Sequence, residues 1–404
     1  MRIAYIFYEH PLSISGGGIG TYSDQIASVM ARFNHDVEVF SGSKTGCYES
    51  ILTHHYKLHL IPAASQEDFR LQVTKAFALA HETNPFDLIE GAEYGADTLS
   101  IKKLYPDIKL IIKLHTPKFL VKKLNFVIPS FFSKLHFILG GLLKGEFPKP
   151  YWNFTHDSNR DPEQELYCIA DSVSSPSASL ANIVRKEWGD KEIIVLPNPF
   201  QATGRIPVRN QSSKGNIRVL FIGRLERRKG IYDLAQSIPI IFKKNPAVTF
   251  GFAGSDQPSI KPGLTTKKYL LKKFSRYSAR MEFFGLLTTA ELNKKLDETD
   301  ICVFPSLWEN FPNACLEAML AEKAVIASKN GGMAEMISHL ENGYLISPNA
   351  PEEIAAAVLE LSANHDLRLK LGKAAREQIL KKYDATTVGL ETELLYRQTL
   401  NKKK

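Results

Sequence analysis

The chain has 404 residues, too many for one hydrophobic core of ordinary size, so two domains of about 190 residues each are expected. Apolar residues make up 44% and charged residues 23% of the chain, which is ordinary for a soluble globular protein. No run of about 20 apolar residues occurs, which excludes a simple spanning helix, and the apolar start at residues 1–7 is too short for a signal peptide. Four cysteines without paired or metal-type spacing indicate reduced thiols in a cytoplasmic protein and no metal site.

Apolar strand-like segments alternate with helical patterns twice along the chain, which predicts two α/β domains with doubly wound parallel sheets. Strands are predicted near 2–7, 36–41, 57–61, 87–90, 109–114, 171–174 and 192–196, and then near 217–222, 248–253, 281–284, 300–304, 324–328 and 343–346. The domains are placed at 1–199 and 217–384, with a polar linker at 200–216 and a last helix within 385–404.

Three consecutive glycines, residues 16–18, lie between the first strand and a helix predicted to begin near Thr21. Glycine there allows left-handed backbone angles and a close approach of the chain to a ligand. A dinucleotide-binding protein would continue the motif to a third glycine at position 21 and place an acidic residue at the end of the second strand. The chain has Thr21 and ends that strand in Phe40-Ser41-Gly42, which weakens an NAD-dependent oxidoreductase as an alternative. A flexible turn remains the plain structural interpretation.

His115 follows the apolar strand predicted at 109–114, so it is expected at the lip of the crevice where parallel strands end. A purely structural histidine is the alternative. The next segment, 118–150, holds six lysines, one glutamate and many large apolar residues. This composition fits a lipid-linked acceptor or the anionic face of a membrane. A packed helical excursion with solvated lysines is the simpler alternative.

The segment 219–230 predicts an apolar strand ending at Gly223, then a basic turn, and a helix from Ile231 onward. Ligands of an open α/β sheet bind beyond the carboxyl ends of the strands, so Arg224 and Lys229 are expected to project toward that crevice. Arginine grips two phosphate oxygens with its planar fork, and lysine supplies a point charge. The pair predicts an anion site, although either residue alone would be ordinary solvated surface.

A second such segment follows the buried strand predicted at 300–304. Glu309 lies in the loop beyond this strand, Pro312 suits the first turn of a helix, and Glu317 falls about one turn into that helix. The backbone amides of residues 311–314 are helix-start donors suited to a phosphate. An anion cradle between two carboxylates suits a nucleotide sugar, which has phosphates in the middle and hydroxyls at both ends. Two solvated glutamates are the alternative.

Together these motifs resemble the retaining glycosyltransferases of family 4, which have the GT-B architecture. The family pattern is a strand ending in Gly-Arg, a Lys-Gly a few residues later, and two glutamates separated by seven residues. The corresponding residues are Gly223-Arg224, Lys229-Gly230, and Glu309 with Glu317. Supporting matches lie at 16–20, 113–116, 174–177, 197–199, 331–335 and 342–343.

The resemblance implies a GT-B fold, in which two doubly wound Rossmann-like domains face a central cleft. It implies that 1–199 is the acceptor-side domain, that 217–384 binds the donor nucleotide, and that the helix in 385–404 crosses back to the first domain. Gly17 and Gly18 would lie near the donor diphosphate and the acceptor.

By the same resemblance His115 contacts the transferred sugar and Glu335 belongs to the donor site. The family often has Pro-Asn-Gly-Val-Asp where this chain has Pro197-Asn-Pro-Phe200, so no role is carried over to that loop.

The predicted reaction is the retaining transfer of a hexose-type sugar from a nucleoside diphosphate sugar to a carbohydrate or lipid-linked carbohydrate acceptor. Arg224 and Lys229 would stabilise the charge that develops on the leaving diphosphate. Because these cations would take over the work that a metal does elsewhere, no divalent ion and no other cofactor is expected. The predicted location is the cytoplasm, with peripheral contact between 118–150 and the inner face of the membrane.

The remaining site residues are assigned to binding the donor. The backbone around Phe311, Pro312 and Asn313 would hold phosphate and sugar hydroxyls, with the proline contributing only shape. Glu317 would accept hydrogen bonds from the ribose, and Glu309 would hold sugar hydroxyls near the anomeric centre.

Two alternatives keep the architecture and change the chemistry: a GT-B sugar-nucleotide epimerase and an inactive donor-binding homologue. The intact glutamates and cations speak against the inactive copy, and the spacing of the glutamates is that of the transferases. A net charge of +8 permits nucleic-acid binding, but no recognition motif accompanies the basic residues, so no nucleic-acid partner is expected.

Overall fold

The computed structural model describes residues 1–14, 17–126, 135, 137–141, 160–202 and 216–402. Within these residues the chain forms two α/β domains, each built on one sheet. Most of the linker predicted at 200–216, most of the basic segment at 118–150, and Gly16 fall outside the described residues.

The first domain contains one mixed sheet in which every pair of neighbouring strands but one is parallel. Its strands are β1 (Arg2–Ile6), β2 (Asp36–Ser43), β3 (Glu49–Leu52), β4 (Lys57–Pro62), β5 (Leu88–Ala92), β6 (Lys109–Lys113), β7 (Ser172–Ser175) and β8 (Ile194–Val195). They are arranged in the order β3-β4-β2-β1-β5-β6-β7-β8. Every predicted strand is confirmed. The sequence pattern missed β3, an edge strand antiparallel to β4 whose last three side chains are exposed, so no buried apolar run marks it.

Helices cover both faces of this sheet. They are α1 (Gly18–Arg32), α2 (Gln66–Thr83), α3 (Leu99–Leu104), α4 (Lys118–Asn125), α5 (Pro162–Ile169) and α6 (Ala178–Trp188). Helices α2 to α6 pack on one face, and α1 packs on the other. Helix α1 begins at Gly18, three residues before the predicted start near Thr21, because the glycine loop itself supplies the first helical turn.

The second domain has a sheet of six parallel strands. They are β9 (Ile217–Ile222), β10 (Val248–Ala253), β11 (Met281–Gly285), β12 (Ile301–Phe304), β13 (Ala324–Ser328) and β14 (Tyr344–Ile346), and the order is β11-β10-β9-β12-β13-β14. The direction of winding reverses between β9 and β12. Loops that leave these neighbouring strands therefore diverge and open a crevice beyond their carboxyl ends, which is the usual ligand position in such folds.

Two apolar layers sandwich this second sheet. The helices are α7 (Ile231–Lys244), α8 (Thr266–Lys273), α9 (Thr289–Asp297), α10 (Asn313–Leu320), α11 (Met333–Met336), α12 (Pro351–Ala363) and α13 (His365–Lys382). Among the described residues no helix combines the length and the apolar character needed to cross a bilayer.

A last helix, α14 (Ala385–Asn401), packs on the first domain beside α1 and β1. The hydroxyl of Tyr396 on α14 donates a 2.6 Å hydrogen bond to the buried carboxylate of Glu90 on β5, and it lies 2.9 Å from the hydroxyl of Tyr5 on β1. The chain leaves the first domain after Phe200 and returns to it after Tyr383. The amide of Phe200 donates to the carbonyl of Tyr383 at 2.9 Å, which joins these two segments. The two chain segments are therefore hydrogen-bonded to each other at the edge of the first domain.

Candidate active site

The basic turn after β9 lies directly against the loop after β12. Gly230 has φ = 72°, and a Cβ atom there would lie 1.9 Å from the carbonyl oxygen of Pro305, so only glycine permits this approach. The amide of Leu307 donates to the carbonyl oxygen of Arg228 at 2.9 Å, which fixes the two loops together. The anion sites predicted after the two strands therefore form one site, at the point where the sheet reverses.

Four charged side chains of these loops form a continuous chain around one buried carboxylate. The Nζ atom of Lys229 lies 2.6 Å from Oε1 of Glu309, and Nη1 of Arg228 lies 3.3 Å from the same oxygen. Arg228 also contacts Oε1 of Glu226 at 3.0 Å, and Arg224 reaches that oxygen at the same distance. The structure thus brings together Arg224, Lys229 and Glu309, the three residues predicted to meet in the crevice.

The Glu309 carboxylate is ionised despite its burial. Burial alone raises its pKa, but the charges of Lys229 and Arg228 outweigh that effect and leave the pKa below its ordinary value. The backbone is held as well, because the amide of Gly332 donates to the carbonyl of Glu309 at 2.8 Å. A carboxylate fixed in this way is an acceptor for hydroxyl groups of a ligand.

Helix α10 begins four residues after Glu309, at the end of the same loop. It begins at Asn313 with Pro312 as the preceding cap residue, and no side chain among the described residues caps it. First-turn amides have no carbonyl partner within a helix and carry the positive end of its dipole, which suits a phosphate. Glu317 is the fifth residue of the helix and is half-buried. The ring of Phe311 packs edge-on against that of Tyr383, with centroids 5.3 Å apart.

His115 borders the cleft from the first domain. Its backbone amide donates to both side-chain oxygens of Glu93, at 2.9 and 2.8 Å, and its ring packs edge-on against Tyr22. Burial, and then the charge of Lys113, lowers the pKa of the imidazole to about 3, so the ring is neutral. Its Nε2 atom is buried and has no hydrogen-bond partner among the described residues, which is an unusual state that a ligand hydroxyl would relieve.

Among the described residues, three side chains of the second domain form hydrogen bonds with the first domain. Asn310 donates its side-chain amide to the carbonyl of His115, and the indole Nε1 of Trp308 lies 3.4 Å from the hydroxyl of Ser179. The carboxylate of Glu335 accepts hydrogen bonds of 2.8 Å from the amides of Ala178 and Ser179, at the start of α6. Glu335 therefore joins the domains through a helix N-terminus, a favourable place for an anion. Its assignment to the donor site stays a prediction.

The glycine loop lies at the start of α1. The amide of Gly17 donates to the carboxylate of Glu9 at 3.1 Å. A Cβ atom on Gly17 or Gly18 would meet no atom within 4 Å, so this loop borders open space among the described residues. Their predicted proximity to the donor and acceptor stays a prediction.

Sequence reasoning missed two residues of this site. Arg228 is one of three consecutive basic residues, and nothing in the sequence shows that it, rather than Arg227, turns toward Glu309. Asn310 stands within the motif that carried the resemblance, but its partners belong to the other domain. In the described part of the chain, no group of three or more histidine, cysteine, aspartate or glutamate side chains is placed to hold a metal ion.

Comparison with known proteins accounts for both halves of the chain. Residues 16–202 match the family model described as Glycosyltransferase Family 4, and residues 204–378 match Glycosyl transferases group 1. The chain is a glycosyltransferase. A glycogen synthase of Mycobacterium tuberculosis is 24% identical over 417 residues, and the match covers 98% of this glycosyltransferase and 94% of that relative.

Solved structures confirm the predicted GT-B fold. The catalytic domain of starch synthase IV from Arabidopsis thaliana, bound to ADP and acarbose, has a TM-score of 0.72 at 14% identity, with both chains fully covered. HepE from Anabaena, in complex with UDP and glucose, has a TM-score of 0.69 at 19% identity, covering 98% of this chain and 99% of that one. The glycosyltransferase thus has two parallel-sheet α/β domains with the GT-B arrangement.

Proposed function

We propose that this glycosyltransferase moves a hexose-type sugar from a nucleoside diphosphate sugar to a carbohydrate or lipid-linked carbohydrate acceptor, with retention of configuration. The observation that carries the proposal is the cluster of Arg224, Lys229 and Glu309 beside the start of α10. Cations, helix-start amides and a buried carboxylate in one crevice match the phosphates and hydroxyls of such a donor. UDP and ADP, the nucleotides in the two related structures, are of the same chemical class.

In the proposed reaction, these cations stabilise the leaving diphosphate. As the bond between sugar and phosphate breaks, negative charge builds on the diphosphate, and preorganised cations lower the energy of that state. The Lys229 ammonium contacts Glu309 in this structure. In the proposed reaction it turns to the phosphate when the donor binds. Arg224, whose side chain is 55% exposed, approaches from the solvent side. The two charges do the work that a divalent ion does in other transferases, so the proposed reaction needs no metal.

The carboxylates orient the two ends of the donor. Glu309 accepts hydrogen bonds from sugar hydroxyls near the anomeric centre, and Glu317 accepts them from the ribose. The backbone of Phe311 and Asn313, with Pro312 giving the turn its shape, holds the phosphates between them. His115 offers its neutral ring to the transferred sugar from the opposite wall. In this proposal the reacting carbon lies between the two domains.

We also propose that the acceptor side of the first domain meets the anionic, cytoplasmic face of a membrane. The support is the composition of 118–150 together with the side chains of Leu135, Phe137, Ile138 and Leu139, which are each exposed to at least 42%. Apolar side chains beside lysines suit the boundary between headgroups and acyl chains.

The test is a thermal-shift panel of the purified chain with UDP, GDP, ADP and NAD, each with and without excess chelator. Stabilisation by one nucleoside diphosphate, unchanged by chelator, supports the donor site and names the base, and the matching nucleotide sugars are then assayed for release of that nucleotide. A variant with Glu317→Ala controls for binding outside the site. A shift with NAD alone would contradict the proposed donor site for a nucleoside diphosphate sugar.

A further inference from the structure

Two cations contact a single oxygen of Glu309, which is more positive charge than one carboxylate needs. Lys229 lies 2.6 Å and Arg228 lies 3.3 Å from this Oε1 atom. The Glu309 side chain is only 10% exposed, so water contributes little to its solvation. A buried carboxylate must be paired to stay ionised, and either cation alone would satisfy that need.

The two cations are held very differently. Arg228 is fixed at three points: its carbonyl accepts the amide of Leu307 at 2.9 Å, Nη2 contacts Glu226 at 3.0 Å, and Nη1 contacts Glu309. Its side chain is 13% exposed, against 20% for Lys229. Lysine carries a point charge on a flexible stem, whereas the planar guanidinium keeps its direction once both edges are engaged.

Donor binding creates a conflict that the second cation resolves. Under the proposed function, the Lys229 ammonium turns to the leaving diphosphate and withdraws from Glu309. If Lys229 were its only partner, Glu309 would then be a buried carboxylate without a counter-charge at the moment when it must hold a sugar hydroxyl. Such a group either takes up a proton or moves, because an isolated buried charge is strongly unfavourable.

We propose that Arg228 is a positioning residue, which keeps the Glu309 carboxylate ionised and aimed at the sugar while Lys229 serves the diphosphate. This inference rests on the proposed function. Glu226 holds Arg228 in place, because its carboxylate contacts Nη2 of Arg228 and also contacts Arg224. When Arg224 turns to the donor, Glu226 remains paired with Arg228 and keeps it in place.

Few other groups among the described residues act on Glu309. The side chain of Ser306 donates a hydrogen bond to it, and the charge of Glu309 also acts on the buried thiol of Cys315 in α10. Burial raises the pKa of the thiol, so it stays neutral and adds no charge. Lys229 and Arg228 are therefore the two charged groups that keep Glu309 ionised against its burial, and their effects can be separated by substitution.

Kinetics supply the first test, with Arg227 as a matched control. Arg227 is adjacent and exposed, so Arg227→Gln removes the same charge without touching Glu309. We expect Arg228→Gln to lower kcat at least tenfold at pH 6 and to move the acid limb of the kcat profile at least one unit higher. The affinity for the nucleoside diphosphate that stabilises the wild type should stay within threefold. Arg228→Lys should restore most of kcat, and Arg227→Gln should match the wild type.

The second test is a double-mutant cycle measured by thermal denaturation, which does not require catalytic turnover. Lys229→Met and Arg228→Gln each leave one cation on Glu309, so each should lower the melting temperature modestly. The double variant should lose more than the sum of the two, and adding Glu309→Gln should recover most of that loss. Additive losses, without recovery by Glu309→Gln, would contradict the shared pairing.

The outcomes separate the inference from the function on which it rests. If the wild type releases no nucleoside diphosphate from any of the nucleotide sugars, the proposed function and the role of Arg228 are both overturned. If the wild type is active and Arg228→Gln has the same pH profile as Arg227→Gln, the function stands and the role of Arg228 is overturned.

Discussion

The side-chain oxygen of Asn310 accepts a 2.7 Å hydrogen bond from the hydroxyl of Ser177, across the boundary between the two domains. The other end of the same amide group donates to the backbone carbonyl of His115. The residue that follows Glu309 is thus tied to two points of the opposite wall of the cleft. This bridge sets the position of Glu309 relative to His115, so it acts on the geometry of the site as well as on the contact between the two domains.

Asn310→Ala removes both hydrogen bonds and should lower kcat/KM by about tenfold to a hundredfold, because small misplacements of reacting groups are costly. The melting temperature should fall only by the few degrees that one or two hydrogen bonds explain. Steady-state kinetics and thermal denaturation measure the two effects. Asn182→Ala, at an exposed asparagine of the first domain, is the control. Equal loss of activity and stability in both variants would argue against a bridge.

Lys229→Ala should lower kcat by about 10²- to 10³-fold, the usual effect of removing one preorganised group that stabilises developing charge. The melting temperature should change little, since Arg228 still pairs with the Glu309 carboxylate. Initial rates at saturating donor give the first quantity. Lys244→Ala, at an exposed lysine at the end of α7, is the matched control. Turnover at the wild-type rate would remove Lys229 from the leaving-group role.

Glu317→Ala should weaken binding of the nucleoside diphosphate by about tenfold or more, as expected for a lost hydrogen bond to a charged group. The lost hydrogen bonds are those to the ribose hydroxyls, so a nucleotide without these hydroxyls provides the control. A 2′,3′-dideoxy analogue should bind the wild type and Glu317→Ala with similar affinity. Calorimetric titration of the four pairs measures this coupling, and an undiminished effect of the substitution on the dideoxy analogue would contradict it.

Glu93 gives the fold a dependence on pH that can be isolated by substitution. Burial, and then the charge of Glu163, raises the pKa of Glu93 from its ordinary 4.5 to about 8. The folded chain therefore holds this proton more tightly than the unfolded chain, so the stabilisation is present below pH 4.5 and is lost as the pH rises through about 8. The wild type should lose up to about 1.4 kcal/mol per pH unit more than Glu93→Gln does over that range.

Denaturation by urea at pH 5.5 and pH 8.5 measures this difference between the wild type and Glu93→Gln. Glu82→Gln, at an exposed position on α2, should follow the wild type at both values. Parallel dependence on pH in the wild type and Glu93→Gln would show that Glu93 is ionised in the folded chain throughout.

The sequence predicted the sheets well because a parallel sheet is buried on both faces, so each of its strands is a short apolar run that stands out between helices. The edge strand β3 was not predicted, because most of its side chains are exposed and form no buried apolar run. The start of α1 was placed late because glycine, a poor helix former, occupies its first turn.

The site could be predicted where charged residues directly follow strands that are neighbours in the sheet. Arg224, Lys229 and Glu309 follow two strands that topology makes neighbours, so their meeting follows from the rule for ligand positions in open sheets. The choice of Arg228 over Arg227 depends on the tight turn at Arg227–Lys229 and on the left-handed angle of Gly230, neither of which a run of basic residues reveals.

The sequence by itself determined the class of fold, the order of the strands along the chain and the position of the charged motifs after β9 and β12. These properties are local, because they follow from burial patterns and from residue types close together in the chain. Only the tertiary structure decided that Asn310 meets Ser177 and His115, and that Glu335 meets the start of α6. These partners lie more than 130 positions apart, and their contact depends on how the two domains pack, which no local pattern of hydrophobicity or charge encodes.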